Sequence, residues 1–164
     1  MAPPDEPRFA DAPSHISDVQ VSHAVSPDKK AITILFDNFT LSLIPRGPPL
    51  VTKTFSLVLP LKGVAAGATL TGGLQGGGAM EPGTGAMLIF RASGISQVFD
   101  PLFASDDETG FTKEINLRVP AGGDLRMSII LALEGNPADP TGQAMVNLTA
   151  VDLTIGPPEG EIEV

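Results

Sequence analysis

The feature that most constrains this chain is alternation of apolar and polar residues with a period of two. Val51, Phe55, Leu57, Leu59 and Leu61 fall on one side of an extended segment, and Thr52, Thr54, Ser56 and Val58 on the other. Phe111, Ile115, Leu117 and Val119 repeat the pattern against Thr112, Glu114, Asn116 and Arg118, with Lys113 interrupting the apolar side. Successive side chains of a strand point to opposite faces, so both segments read as strands with one face buried.

Further strands are expected over about 16–25, 31–44, 86–92, 125–133 and 144–155. Two of these runs change phase internally. Ile32, Ile34 and Phe36 share one parity and Phe39, Leu41 and Leu43 the other, so a β-bulge near Asp37 and Asn38 is needed to return both sets to one face. The last run slips in the same way between Ala150 and Val151. Turn chemistry separates the runs: Ser26-Pro27-Asp28-Lys29, Pro45-Arg46-Gly47-Pro48-Pro49, Ala121-Gly122-Gly123-Asp124 and Gly135-Asn136-Pro137. With 18 Gly and 16 Pro, long helices are disfavoured. An antiparallel sheet must cover its apolar face with another layer, so the expected fold is all-β, an antiparallel β-sandwich or jelly roll of about seven to nine strands.

The chain has 164 residues, 42% of them hydrophobic, enough for one domain with a sizeable core. The periodic segments place that domain at 16–155. Residues 1–15 read as an extended, proline-rich arm and 156–164 as an acidic tail, both lacking periodicity. Residues 1–15 have no apolar core, so they resemble neither a signal peptide nor a membrane anchor, and no run of apolar residues reaches spanning length. The expectation is a soluble protein, or a mature form from which an export signal has been removed.

The formal net charge of −9 and ten scattered basic residues work against nucleic acid and anionic membranes, which are bound through clustered Lys and Arg. Cysteine is absent, which excludes disulfides, thiolate metal sites and a cysteine nucleophile.

Few residues suggest chemistry. The stretch 63–85 holds nine glycines, but no G-K-[ST] follows and no helical pattern opens after it, so a phosphate loop is not expected. A weak strand over Ala68–Leu74 and then a mobile loop is the reading. His15 and His23 are the two histidines, too few for a zinc site of three or four ligands. His23, Ser26 and Asp28 make a Ser-His-Asp set on paper, but within a tight turn that lacks a nucleophile elbow. Asp100, Asp106, Asp107 and Glu108 gather hard oxygen donors suited to calcium, the one cofactor worth naming, although their spacing is not that of an EF-hand and a solvated loop explains them as well. Asn38-Phe39-Thr40 and Asn147-Leu148-Thr149 match the glycosylation pattern inside strands, where Thr also serves β-propensity. With no Trp or Tyr, a carbohydrate site lacks its usual aromatic platform.

Three segments together carry a family resemblance: Val21-Ser22-His23-Ala24-Val25-Ser26-Pro27-Asp28, Ala31-Ile32-Thr33-Ile34-Leu35-Phe36-Asp37-Asn38-Phe39 and Lys53-Thr54-Phe55-Ser56-Leu57-Val58-Leu59-Pro60. Over about 20–60 the chain resembles an uncharacterised family of small secreted microbial β proteins. Members of that family usually carry cysteines, one near the position of Phe55, and this chain has none. The resemblance implies a β-sandwich and an extracytoplasmic location, and supplies no site residue.

The functional expectation is a non-catalytic structural or assembly subunit of a shell, filament or decorated particle. Its partners would be other protein subunits, copies of itself first, with no membrane insertion. Its terminal arms would lie over neighbours and add strands to open edges, as the alternating Glu161-Ile162-Glu163-Val164 is suited to do. The alternative is a small extracellular binding module whose ligand meets loops in 63–85 or 100–108.

Overall fold

The structure, a computed structural model, describes residues 7–9, 14–15, 20–63, 67–103, 109–121, 124–135, 138 and 141–157. In chain order the strands are β1 (Arg8–Phe9), β2 (Ser14–His15), β3 (Val21–Val25), β4 (Ala31–Leu43), β5 (Leu50–Lys62) and β6 (Ala68–Met80). They continue with β7 (Gly85–Ala92), β8 (Ile95–Phe99), β9 (Gly110–Val119), β10 (Asp124–Glu134) and β11 (Ala144–Gly156). The described residues contain no helix, and so none long and apolar enough to cross a membrane.

All pairings are antiparallel and form two sheets. The first has the order β1-β5-β10-β7-β8, with β2 also on β5; the second runs β3-β4-β11-β6-β9. They pack face to face as a sandwich, the architecture that the alternation called for. The eleven strands among the described residues exceed the seven to nine expected because β1, β2 and β8 are short additions. β8 follows β7 through Ser93 and Gly94, both at positive φ (48° and 88°), a tight turn whose twist suits a hairpin.

The expected bulge explains how β4 feeds the core. Phe39 pairs with Leu148 and Leu35 with Ala150, so residues 36–38 of β4 face Thr149 alone. Those extra residues bring Phe36 and Phe39 to the same face, where both meet Phe55 of the opposite sheet. Ring centroids lie 5.0 Å apart for Phe36–Phe55 and 5.3 Å for Phe36–Phe39, both edge-to-face. Each such pair adds about 0.5–1.5 kcal/mol beyond its buried area. Against β6, Thr149 of β11 is itself the unmatched residue, since Leu148 pairs with Gly76 and Ala150 with Gln75. The phase slip of the last strand therefore sits one residue before the expected place.

The segment expected to become a mobile loop after Leu74 is strand through Met80, paired with β11 on one side and, as far as Gly77, with β9 on the other. Glycine is a poor strand former, and the correction has a steric cause. Gly76 and Gly78 face the core, where a Cβ would run first into the β11 backbone, at the Asn147 carbonyl for Gly76 and the Met145 carbonyl for Gly78, and then into Cζ of Phe111 (2.5 Å) and Cζ of Phe103 (3.0 Å). Those rings pack edge-to-face at 5.5 Å. They fill the space that side chains on β6 would need.

The core also reaches into the segment read as an arm. Phe9 is 1% exposed, β1 pairs with the end of β5, and the Phe9 amide donates to the Lys29 carbonyl at 2.8 Å. Glu161–Val164 lies outside the described residues.

Candidate functional site

The same parity that gives β6 two inward glycines leaves Gly73, Gln75, Gly77 and Ala79 pointing outward. Opposite Gly77 on β9 stands Gly110, and on β11 Asn147. Neither glycine has a side chain, so the sheet surface dips along this line. The dip is an open groove of ≈ 470 Å³ on the outer face of the second sheet, bordered by Gln75, Thr112, Asn147 and Thr149 and floored by glycine backbone. Thr149 reaches the groove because it is the bulged residue; its hydroxyl donates to the Gln75 carbonyl at 2.9 Å, which fixes the wall.

A second, separate depression lies farther along the same two strands. Met145 pairs with Ala79, the next outward row after Asn147 and Gly77. Here the depression, of ≈ 420 Å³, is bordered by Ile44, Pro45, Met80, Glu81, Gln143 and Met145. Ile44 is 60% and Met145 42% exposed, so this end is apolar. Its rim is held by Glu81, whose carboxylate accepts from the Gln143 amide at 2.8 Å while its own amide donates to the Gln143 carbonyl at 3.1 Å. The first depression is thus lined by amides and hydroxyls, and the second is mainly apolar. Among the described residues, none lining the first is titratable in the ordinary pH range, so those residues can bind but offer no general acid, base or activated nucleophile.

The residues singled out from the sequence lie elsewhere. Ser26 and Asp28 belong to the β3–β4 turn. The Ser26 hydroxyl donates to Asp28 Oδ1 at 2.6 Å and accepts from the Ala31 amide at 3.0 Å, while Asp28 also accepts from the Lys30 amide at 3.1 Å. That is a turn clasp, and it holds the Asp28 carboxyl below its ordinary pKa, first through the Ser26 hydroxyl and then the Lys30 amide. His23 is exposed on β3 and His15 lies on β2, paired with Leu57. Asp100 is exposed just beyond β8, whereas Asp106, Asp107 and Glu108 lie outside the described residues. Among the described residues no three His, Asp or Glu converge on one point. Asn38 sits in the bulge, its carbonyl accepting from Lys53 Nζ at 3.3 Å.

Of all the residues marked in advance, Asn147 and Thr149 fall in the groove, together with Gly76 and Gly77 of the glycine-rich stretch. Gln75, Gly110 and Thr112 were missed as site residues. One signal was present: Leu70, Leu74 and Met80 share a parity with Gly76 and Gly78, which marks the stretch as strand and turns its odd glycines outward.

No protein-family model matches the chain, and no curated protein matches it significantly. Among solved structures, TmCBM61 in complex with β-1,4-galactotriose aligns over 82% of this chain and 88% of its own, at 15% identity and a TM-score of 0.35. CBM35 from Paenibacillus barcinonensis aligns over 88% of this chain and 98% of its own, at 11% identity and a TM-score of 0.29. An exo-β-1,3-galactanase from Phanerochaete chrysosporium, with β-1,3-galactotriose, covers 88% of this chain at 8% identity and a TM-score of 0.33, and this chain spans only 28% of that enzyme. Superpositions this loose set up no residue correspondence, and no residue or ligand of these proteins is carried onto this chain.

Proposed function

We propose that the protein is a non-catalytic binding module that holds a neutral, polyhydroxylated chain in the groove along β6 and β11. One observation carries this reading: among the described residues the groove's polar wall is made of amide and hydroxyl side chains, Gln75, Thr112, Asn147 and Thr149, over a floor of glycine backbone and Phe111. Amides donate and accept at once, as sugar hydroxyls do, and an uncharged wall selects against ionic ligands. The open shape suits a chain lying across the sheet better than a small molecule enclosed on all sides. Such a ligand is met outside the cell, in keeping with the location that the resemblance to secreted microbial proteins implies. The site differs from the loop-borne one expected, because the glycine-rich stretch is a strand.

Native gel electrophoresis through neutral soluble polysaccharides tests the proposal. Gly110 is the place to block the groove: a Cβ there meets nothing closer than the Gly76 carbonyl oxygen at 3.6 Å, so Gly110→Gln adds a side chain without a backbone clash. At least one polysaccharide should retard the wild-type protein, and Gly110→Gln should abolish the retardation while leaving Tm unchanged. Absence of retardation by every polysaccharide, or equal retardation of the variant, refutes the reading.

A further inference from the structure

We propose that two copies of this chain join edge to edge through β3, antiparallel about His23, so that their second sheets become one continuous sheet of ten strands.

The hydrogen-bond parity of β3 comes first. The Gln20 carbonyl accepts from the Asp37 amide at 3.0 Å, and the Ser26 amide donates to the Ala31 carbonyl at 2.9 Å. Even-numbered residues therefore turn their peptide groups toward β4, and Val21, His23 and Val25 turn theirs outward. β3 ends its sheet, and no described strand lies beyond it.

The edges at β9 and β5 are covered, and β8, which ends the first sheet, leans on β9 through Gln97. On the far side of the second sheet, Gln97 of β8 donates to the Glu114 carbonyl at 2.8 Å and accepts from the Asn116 amide at 3.1 Å, so a side chain occupies the edge of β9. In the first sheet β1 and β2 lie along β5. β3 is short, at five residues, but Val21-Ser22-His23-Ala24-Val25 has no Lys, Glu, Pro or bulge to blunt its edge.

The partner is a second copy because the strand complements itself. A two-fold axis through His23 sets Val21 opposite Val25 of the other copy and His23 opposite its equivalent, and these are the residues whose peptide groups face outward. On the core side the row then reads Phe36, Val21, Val25 and Ile32, the last two from the second copy, since Val21 pairs with Phe36 and Val25 with Ile32. Val25, 38% exposed, gains apolar neighbours in this arrangement. On the outer side Ala24 of one copy stands beside Ser22 of the other, next to Leu35, which is 49% exposed. Small residues at 22 and 24 let the strands approach. Antiparallel pairing about an axis normal to the sheet keeps both outer faces on one side, so the two grooves face the same way and a polymeric ligand can engage both.

The test is molar mass by light scattering at tens of micromolar. Wild-type protein should show twice the 16.9 kDa of one chain. His23→Glu and His23→Lys set like charges opposite each other across the axis, and each should give the single-chain mass. An equimolar mixture of the two should recover the doubled mass. His23→Pro removes the outward amide at the axis and leaves the β4 ladder intact, so it should also halve the mass while the far-UV circular dichroism spectrum stays that of wild type. The proposal is overturned if wild-type protein is monomeric, if it captures only an extended peptide of another protein, or if the single charge variants dimerise as wild type does. Gly110→Gln should leave the dimer mass unchanged, which separates a failure here from a failure of the groove.

Discussion

Replacing Gly76 and, separately, Gly73 by alanine adds the same methyl group to one strand three residues apart, on opposite faces of the sheet. At Gly76 the new Cβ would stand 2.5 Å and 2.7 Å from two ring carbons of Phe111 and press against the Asn147 carbonyl. Carbon atoms prefer separations of about 3.5–4.0 Å. Phe111 has little room to retreat, because it is 7% exposed and Phe103 packs edge-on against it. Overpacking of this kind costs about 1–3 kcal/mol, and the gain from replacing a strand glycine offsets only about 0.5–1 kcal/mol. Gly76→Ala should therefore lose about 1–2 kcal/mol, a fall in Tm of about 2–8 °C for a domain of this size. At Gly73 the nearest atom to the new Cβ is the Lys113 carbonyl oxygen at 3.5 Å, an ordinary contact. Gly73→Ala should gain up to about 1 kcal/mol. The assay is urea unfolding followed by far-UV circular dichroism, since the chain has no Trp or Tyr to report by fluorescence. Equal stability of Gly76→Ala and wild type, or a shift of both variants in one direction, would refute the steric account of the glycine-rich strand.

Two further outcomes follow from hydrogen bonds already described. Gln97→Ala should uncover the edge of β9, speeding hydrogen exchange at the Asn116 amide and costing about 1 kcal/mol; unchanged exchange there would deny Gln97 its covering role. Asp28 has its pKa lowered in the folded protein, so its contribution is fully present above its unfolded pKa, about 4, and is lost as pH falls through the lower folded value. Asp28→Asn should accordingly be less stable than wild type at neutral pH, with the gap closing as acid protonates Asp28. A gap that persists unchanged to the acid limit would show that the carboxylate charge is not what the turn uses.

Most of the sandwich was legible because its strands bury one face and alternate cleanly. Even the bulge at Asp37 and Asn38 announced itself, since Phe36 and Phe39 cannot both be inward without it. The glycine-rich strand hid for the opposite reason: its inward positions hold no side chain, and the apolar matter that fills them, Phe103 and Phe111, comes from a segment 25 or more residues later. β8 hid because Ile95-Ser96-Gln97-Val98-Phe99 is short and its middle residue serves an edge rather than the core. The groove was less legible still. Its walls are ordinary strand residues such as Thr112 and Asn147, and what makes them a site is the missing side chain across the ladder, a relation between strands far apart in sequence.

The order of the strands carries a consequence for how the molecule comes into being. β10 lies between β5 and β7, and β11 between β4 and β6, so the last two strands occupy interior positions of both sheets. A nascent chain that stops short of Ala144 has β4 and β6 with nothing between them, each holding a row of unanswered peptide groups. The first sheet can close once β10 is in place, but the second cannot until β11 arrives, and loop closure over such separations slows it. The second sheet is therefore the last layer to form, with the glycine-rich strand held on its β9 side alone until β11 arrives.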